Sequence, residues 1–354
     1  MAKDTVIDSH IHIMGWYDKL GNYFIDGLEH YRNKFGLKAI NLAALPAGDM
    51  NVSNNIIQAV YKHVNKNTFA HGGVTYHKYP VPDQMPEGMD LVTQYHELME
   101  IGFDGIKMLE GKPSHHKMIG RDMSDSFYDP FFAELEKDQT HLIFHVNDPE
   151  QYWDKSNPDV ERLRQIGWFY GDGDYASYEE VVRQTFAILE HHPNLCVNFA
   201  HFLFFSGCPE KLEEAFAKYP NMGVDITPGG EMYLGFDARF EYYKEFFTKY
   251  SERIQFGTDI VPGSHESQEW LYDRVYRYIA TEEKFQGFAN RIHTGFNLPQ
   301  EAKDNILYKN FERTVGETPK PINTAALLKY IEKYRCLMPE KDAIEVDKVI
   351  KEYL

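Results

Sequence analysis

The sequence predicts an α/β chain folded as a (β/α)8 TIM barrel with extra C-terminal helices. Three observations carry this expectation. Eight short β-rich runs recur along the 354 residues, amphipathic stretches separate them, and chemically active side chains cluster at the carboxyl ends of the runs. Alternating strands and helices imply a parallel sheet. Eight such units close into a barrel whose active site lies at the carboxyl ends of its strands.

The expected strands are Thr5–Ile13, Lys38–Leu45, Phe69–Tyr76, Gly102–Leu109, His141–Val146, Asn194–Phe202, Met222–Thr227 and Ile254–Ile260. Between the first two, Leu20, Phe24, Leu28, Tyr31 and Phe35 recur near a period of 3.6, which predicts a helix over Leu20–Phe35. Val181, Val182, Thr185, Ile188 and Leu189 mark a second helix, Tyr178–His191. Ser177 with Glu180 three residues on reads as its capping box. Gly36, His192-Pro193 and Tyr219-Pro220 are helix breakers.

The connection from Asn147 to Ala176 is the longest and holds Trp153, Trp168, Phe169 and Tyr170. A long aromatic loop after a strand reads as a lid or pocket wall. Residues 1–316 are read as the barrel domain. Residues 317–354 are read as a helical extension packing on it, with helices over Asn323–Cys336 and Lys341–Tyr353.

Composition bounds the function. Apolar residues make up 43% of the chain, enough for a sizeable core, and the formal net charge is -17. That charge argues against nucleic acid and anionic membranes as partners. The opening Met1-Ala2-Lys3-Asp4 has no apolar signal region, and no apolar run is long enough to span a bilayer. Cys196, Cys208 and Cys336 lack a C-x-x-C spacing. The expectation is a reduced, cytoplasmic protein. Leu203–Phe205 and Tyr242–Phe247 are apolar enough to serve either a buried core or a homo-oligomer interface.

The chemistry gathers at strand ends. In Asp8-Ser9-His10-Ile11-His12, a side-chain period of two puts both histidines on one face, half of a metal site. Strand four carries Lys107, strand five ends at His145, strand six at His201 and strand eight at Asp259. Each follows apolar residues suited to the barrel interior. His77, Lys112, His115, His116 and Arg121 gather positive charge at the proposed mouth, where they could bind a carboxylate. Trp168, Glu231 and His265 are further loop candidates for substrate contact.

This constellation resembles the amidohydrolase superfamily, and within it the amidohydrolase 2 branch of lactonases, non-oxidative decarboxylases and related hydrolases. The resemblance spans Val6 to Gly316. It rests on Asp8-Ser9-His10-Ile11-His12, Gly105-Ile106-Lys107, His145-Val146-Asn147-Asp148-Pro149, Ala200-His201-Phe202, Gly257-Thr258-Asp259 and the segment Asn305–Asn310. One departure is Phe202-Leu203-Phe204-Phe205 after His201, where relatives often carry a glycine-rich turn.

The resemblance implies one divalent metal held by His10, His12, His145 and Asp259. Imidazoles and a carboxylate suit zinc and tolerate manganese or iron. In the one-metal form Lys107 is expected to contact an anionic substrate; a carboxylated Lys107 bridging two ions is the alternative, with His201 then a ligand of the second. The implied reaction is hydrolysis of an amide, lactone or ester in a small, carboxylated molecule, with Asp259 moving the proton of a metal-activated water and His201 orienting it. The rival on the same site is non-oxidative decarboxylation of an aromatic or unsaturated acid. The rival from another class is a metal-binding protein without turnover.

Overall fold

A computed structural model describes residues 5–13, 25–46, 51–229, 231–261 and 270–354. Eight parallel strands run in sequence order: β1 (Ile7–Ile11), β2 (Ala39–Ala43), β3 (Thr68–Gly72), β4 (Gly105–Gly111), β5 (His141–Val146), β6 (Val197–Phe199), β7 (Met222–Asp225) and β8 (Ile254–Gln255). All eight fall within or across the expected runs, and most are shorter. Gly102 shows why strand four begins late. It caps the helix Leu91–Ile101 at φ 106, a conformation that suits glycine, so it belongs to the helix end.

The sheet closes between β8 and β1. Ile11 bridges Ile260 in parallel. The backbone N–H groups of Ser9, His12 and Asp259 donate to the carbonyls of Phe256, Ile260 and His10 at 3.1, 2.8 and 2.8 Å. Asp8 is a second clasp. It is fully buried and accepts from the Tyr31 hydroxyl and from Thr258 Oγ1, both at 2.6 Å. This architecture is the (β/α)8 TIM barrel.

The helices follow the apolar periodicity. The described part of the first is Ile25–Phe35, and residues 20–24 of the expected helix lie outside the described residues. The helix Tyr178–His191 stands where the pattern puts it. Ser177 Oγ accepts from the Glu180 N–H at 3.1 Å. The Glu180 carboxylate turns instead to Arg183 and Gln184, so only half of the expected capping box is made. Helices Thr324–Tyr334 and Glu340–Tyr353 form the C-terminal extension. They lie against the helix Asn51–Val64, where Asn55 Nδ2 donates to the Tyr330 hydroxyl at 2.9 Å and Ser53 Oγ to Asp342 Oδ2 at 2.8 Å. Leu327, Tyr330 and Val346 join the same contiguous apolar core as the barrel.

One hairpin and one irregularity, in the helix that the resemblance implies around Asn305–Asn310, were not foreseen. A hairpin of β9 (Lys284–Gln286) and β10 (Ile292–Thr294) follows the helix Trp270–Ala280. The helix from Gln300 to Thr314 widens to π geometry over Asn305–Lys309. The runs Leu203–Phe205 and Tyr242–Phe247 are not a free surface. Leu203, Phe205, Tyr243 and Phe247 are fully buried within this chain, because the turn after β6 packs on the helix Phe240–Lys249. Among the described residues, no helix is long and apolar enough to cross a membrane.

Candidate metal centre

β1 delivers two imidazoles to the carboxyl end of the barrel. His10 Nδ1 lies 2.9 Å from Asp225 Oδ2, and His12 Nδ1 lies 2.7 Å from the Ala43 carbonyl oxygen. Carboxylates and carbonyls only accept, so each Nδ1 carries a proton and each Nε2 is aimed into the site. The two Nε2 atoms face one another at 3.2 Å. Burial, helped by the Lys107 charge, draws His10 down to about 4, so it is neutral at pH 7.

Asp259 joins them. Its Oδ1 is 2.9 Å from His12 Nε2 and 3.7 Å from His10 Nε2. The three ligand atoms lie within 4.8 Å of one another, the one such group found among the described residues. The Asp259 side chain is 32% exposed and that of His10 only 1%, so the triad opens to solvent on the aspartate side.

The donor set fits a cation. Two imidazole nitrogens and a carboxylate oxygen converge on one point, and with both rings neutral all three would turn lone pairs toward a cation. Ligand atoms on a tetrahedral zinc at ~2.0–2.1 Å stand roughly 3.3–3.4 Å apart, and the 3.2 Å between the imidazoles matches that spacing. Lys107 Nζ now supplies the nearby positive charge, 3.2 Å from His10 Nε2. Burial draws this lysine down to about 8, toward the neutral amine.

His145, expected as a fourth ligand, is placed differently. It stands at the same end, its ring 4.8 Å from that of His201. Its Nε2, however, is 2.9 Å from the Asn147 carbonyl oxygen and 3.6 Å from Asp148 Oδ1. The chain reverses at Asn147 (φ 65), whose carbonyl engages this nitrogen, and His145 is not among the ligand atoms that lie within 4.8 Å of one another. Burial lowers His145 to about 3.

His201 is fixed by β7. Its Nδ1 donates to the Thr227 carbonyl oxygen at 3.1 Å and to Thr227 Oγ1 at 3.0 Å, leaving Nε2 facing Asp259 Oδ2 at 3.9 Å. Its own N–H donates to Asp225 Oδ1 at 2.8 Å. The backbone beneath it is strained. His201, Phe202, Leu203 and Phe204 all take left-handed φ values of 53–56°. This is why strand six ends at Phe199 and not at Phe202 as expected. Such a conformation costs roughly 1–2 kcal/mol per residue without glycine. The cost is offset by burial of Phe202, which stacks on Phe247 at 5.8 Å and meets Phe236 edge-on at 5.0 Å.

The basic mouth is not assembled as the sequence suggested, because most of its charges already have acidic partners. Arg121 binds Asp83 at 2.7 Å and Asp125 at 3.1 Å. Lys112 Nζ reaches both oxygens of Asp148 at 2.7 Å and lies 4.9 Å from the ring centroid of Trp168. His116 Nε2 is 3.0 Å from Gln184 Oε1. Burial lowers His115 to about 4. His77 is half-buried, with no hydrogen-bond partner on Nδ1. Trp168 is 42% exposed at the rim. His265 lies outside the described residues.

Glu231 stands apart. Both carboxylate oxygens are buried with no hydrogen-bond partner. Burial, reinforced by the charge of Asp148, pushes it up to about 7. It follows the Pro228–Gly229 turn, where a Cβ on Gly229 would lie 3.7 Å from that of His201.

Sequence reasoning missed four residues. Asp225 and Thr227 orient His10 and His201, and their alternation in Val224-Asp225-Ile226-Thr227 was the available signal. Asp148 and Tyr170, read only as parts of a motif and a loop and not as partners, form the second pair, the hydroxyl donating to Asp148 Oδ2 at 2.6 Å. That bond ties the long aromatic loop to the end of β5, as expected of a pocket wall.

No protein-family model and no curated protein matches the sequence. Solved structures do match. A Staphylococcus aureus protein provisionally assigned as an amidohydrolase superposes with TM-score 0.56 at 15% identity, over 88% of this chain and 99% of its own. The 4-oxalomesaconate hydratase of Rhodopseudomonas palustris gives 0.52 at 11%, over 94% and 99%. The 2,6-dihydroxybenzoate decarboxylase from Rhizobium gives 0.50 at 12%, over 89% and 99%. The chain shares its barrel fold with these proteins over nearly their whole length.

Two outcomes follow from the geometry. Asp225→Asn removes the acceptor that fixes the His10 tautomer, and zinc affinity measured by competition with a chromophoric chelator should fall 10–100-fold. Phe202→Ala should cost about 3–5 kcal/mol in urea unfolding, because it empties the site whose burial offsets the left-handed turn.

Proposed function

We propose that this chain is a metal-dependent enzyme of the amidohydrolase superfamily that hydrolyses an amide, lactone or ester bond in a small, carboxylated molecule. The observation that carries this reading is the facing pair of His10 and His12 Nε2 atoms with Asp259 beside them. His10, His12 and Asp259 would hold a divalent ion, with zinc the best fit to the donor set. Such an ion polarises a carbonyl and lowers the pKa of a bound water to about 7.

The remaining steps belong to side chains. Asp259 accepts the proton of the attacking water on Oδ2, the atom nearest His201 Nε2. His201, its Nδ1 committed to Thr227, presents Nε2 to orient that water or the substrate carbonyl. Lys107, buried beside His10, offers the charge that could meet a substrate carboxylate. Glu231, raised to about 7 by burial, keeps a share of its protonated form near neutral pH and supplies a proton to the leaving group. Free Cys196, Cys208 and Cys336 support a reducing, cytoplasmic setting.

One observation favours a second reading. An uncharged Glu231 could equally protonate the carbon left by a departing carboxylate, and one structural neighbour is a decarboxylase. Elemental analysis followed by a screen of lactones, amides and aromatic acids decides the matter. Water consumed without gas supports hydrolysis. Carbon dioxide released supports decarboxylation. Protein that binds no divalent ion and turns over nothing overturns both.

Asp259→Asn should lower turnover by at least ~10²-fold, the low end for a general base, with metal content largely retained. If Glu231 donates the proton, kcat/KM should decline as pH rises through about 7, and Glu231→Gln should flatten that limb. Stability carries the same signature. A carboxyl raised from 4.5 to about 7 stabilises the fold fully below its free value, and that contribution is lost as pH rises through the window. Glu231→Gln should abolish this part of the dependence, on the order of 3 kcal/mol, in urea titrations at pH 4.5 and 8.

A further inference from the structure

The amino-terminal end of the barrel, opposite the metal triad, is filled on one side only. There Ile7, Ala39, Phe69 and Phe311 form a small apolar plug. Toward β5–β8 lies a cavity of about 380 Å³ lined by His141, Asn198, Arg253, Gln255, Arg313 and other residues. Barrel interiors are ordinarily packed with layers of branched side chains. Here Asn198 alternates with Val197 and Phe199, which join the apolar core, and its neighbour across β7 is Gly223. A Cβ on Gly223 would stand 3.1 Å from Asn198 Oδ1, so the glycine leaves the space open.

The cavity wall carries unmet hydrogen-bonding groups. Asn198 Nδ2 and Oδ1 and Gln255 Oε1 are buried with no partner, in side chains only 2% and 4% exposed. Buried amides without partners are rare and costly. The rim is cationic. Arg253 donates to the carbonyl oxygens of Met222, Phe216 and Tyr219, and Arg313 to the Glu252 carbonyl oxygen and Asn310 Oδ1. Among the described residues, neither guanidinium has a carboxylate within ion-pair distance, although the Glu252 charge still acts on Arg253. Two unneutralised guanidiniums side by side are unexpected in a chain of net charge -17.

We infer that this cavity is a second binding site for a small hydroxy acid, whose oxyanion meets Arg253 and Arg313 and whose hydroxyl meets the buried amides of Asn198 and Gln255. The volume is in the range of small-molecule sites. An anion alone would satisfy the rim and leave the amides unmet. A neutral polyol would satisfy the amides and leave the rim charged.

The test uses the full chain with L-malate, inorganic phosphate and glycerol as probes, read by isothermal calorimetry and thermal shift. Malate should bind saturably with a Kd of about 1 mM or tighter, phosphate more weakly, and glycerol not at all. Arg313→Gln, at an exposed position, should weaken malate about tenfold, the loss of one charge-assisted hydrogen bond. Asn198→Leu should abolish binding. Both variants should keep zinc affinity, and His10→Ala should keep malate binding. The site is overturned if neither anion binds saturably, if phosphate binds as tightly as malate, if binding survives Arg313→Gln, or if it is lost in His10→Ala. Should Asn198→Leu fail to fold, Arg313→Gln and His10→Ala together still decide.

Discussion

Everything at the carboxyl end of this barrel depends on one constraint: two imidazole Nε2 atoms held face to face at 3.2 Å. Neither ring is free to turn away. Asp225 grips His10 from β7, and the Ala43 carbonyl grips His12 from the end of β2. The acceptors behind both rings are buried, so turning either ring away would leave a buried acceptor unmet. The site is thus organised in advance for a positive charge, as binding geometry generally requires.

Closure of the barrel delivers the third member. The N–H of Asp259 donates to the His10 carbonyl, so the carboxylate is carried to the triad by the same backbone bonds that join β8 to β1. Asp259 takes a left-handed φ of 57° there. His201, on the far side, stands at the head of four consecutive left-handed residues. Two of the catalytic candidates therefore sit on strained backbone, and in each case tertiary structure holds it. For Asp259 it is the β1–β8 seam, clasped again by Asp8 and Thr258. For His201 it is aromatic packing around Phe202. Strain of this kind clusters where a side chain must be aimed.

Charge is distributed by the same logic. An acidic chain surrounds its mouth with bases, yet pairs them with nearby carboxylates. Asp148 takes Lys112 and the Tyr170 hydroxyl, which fastens the aromatic loop over β5. Arg121 is committed to Asp83 and Asp125. What stays unpaired is more informative: Lys107 against His10, and the buried acid of Glu231. At the other end of the lumen, Arg253 and Arg313 have no carboxylate partner within ion-pair distance among the described residues.

Period and composition made the barrel legible. Runs of period two alternating with runs near 3.6 are local properties of the chain, so eight strands, the helix Tyr178–His191 and the C-terminal helices could be read before any contact was known. The placing of His10, His12, His201 and Asp259 at one end of the barrel was legible for the same reason, since each lies in or within four residues of a recognisable strand. Orientation was not. His145 ends its strand as expected, but the reversal at Asn147 commits its Nε2 elsewhere. Lys112 and Arg121 advertise charge in the sequence, and only the folded chain shows the aspartates that neutralise them. Asp225, Glu231 and the polar cavity beside Gly223 draw their character from neighbours far away in the chain. Sequence fixes which groups a strand end can offer. Tertiary structure decides which stay unpaired, because hydrogen bonds and burial are set by residues that meet only when the barrel closes.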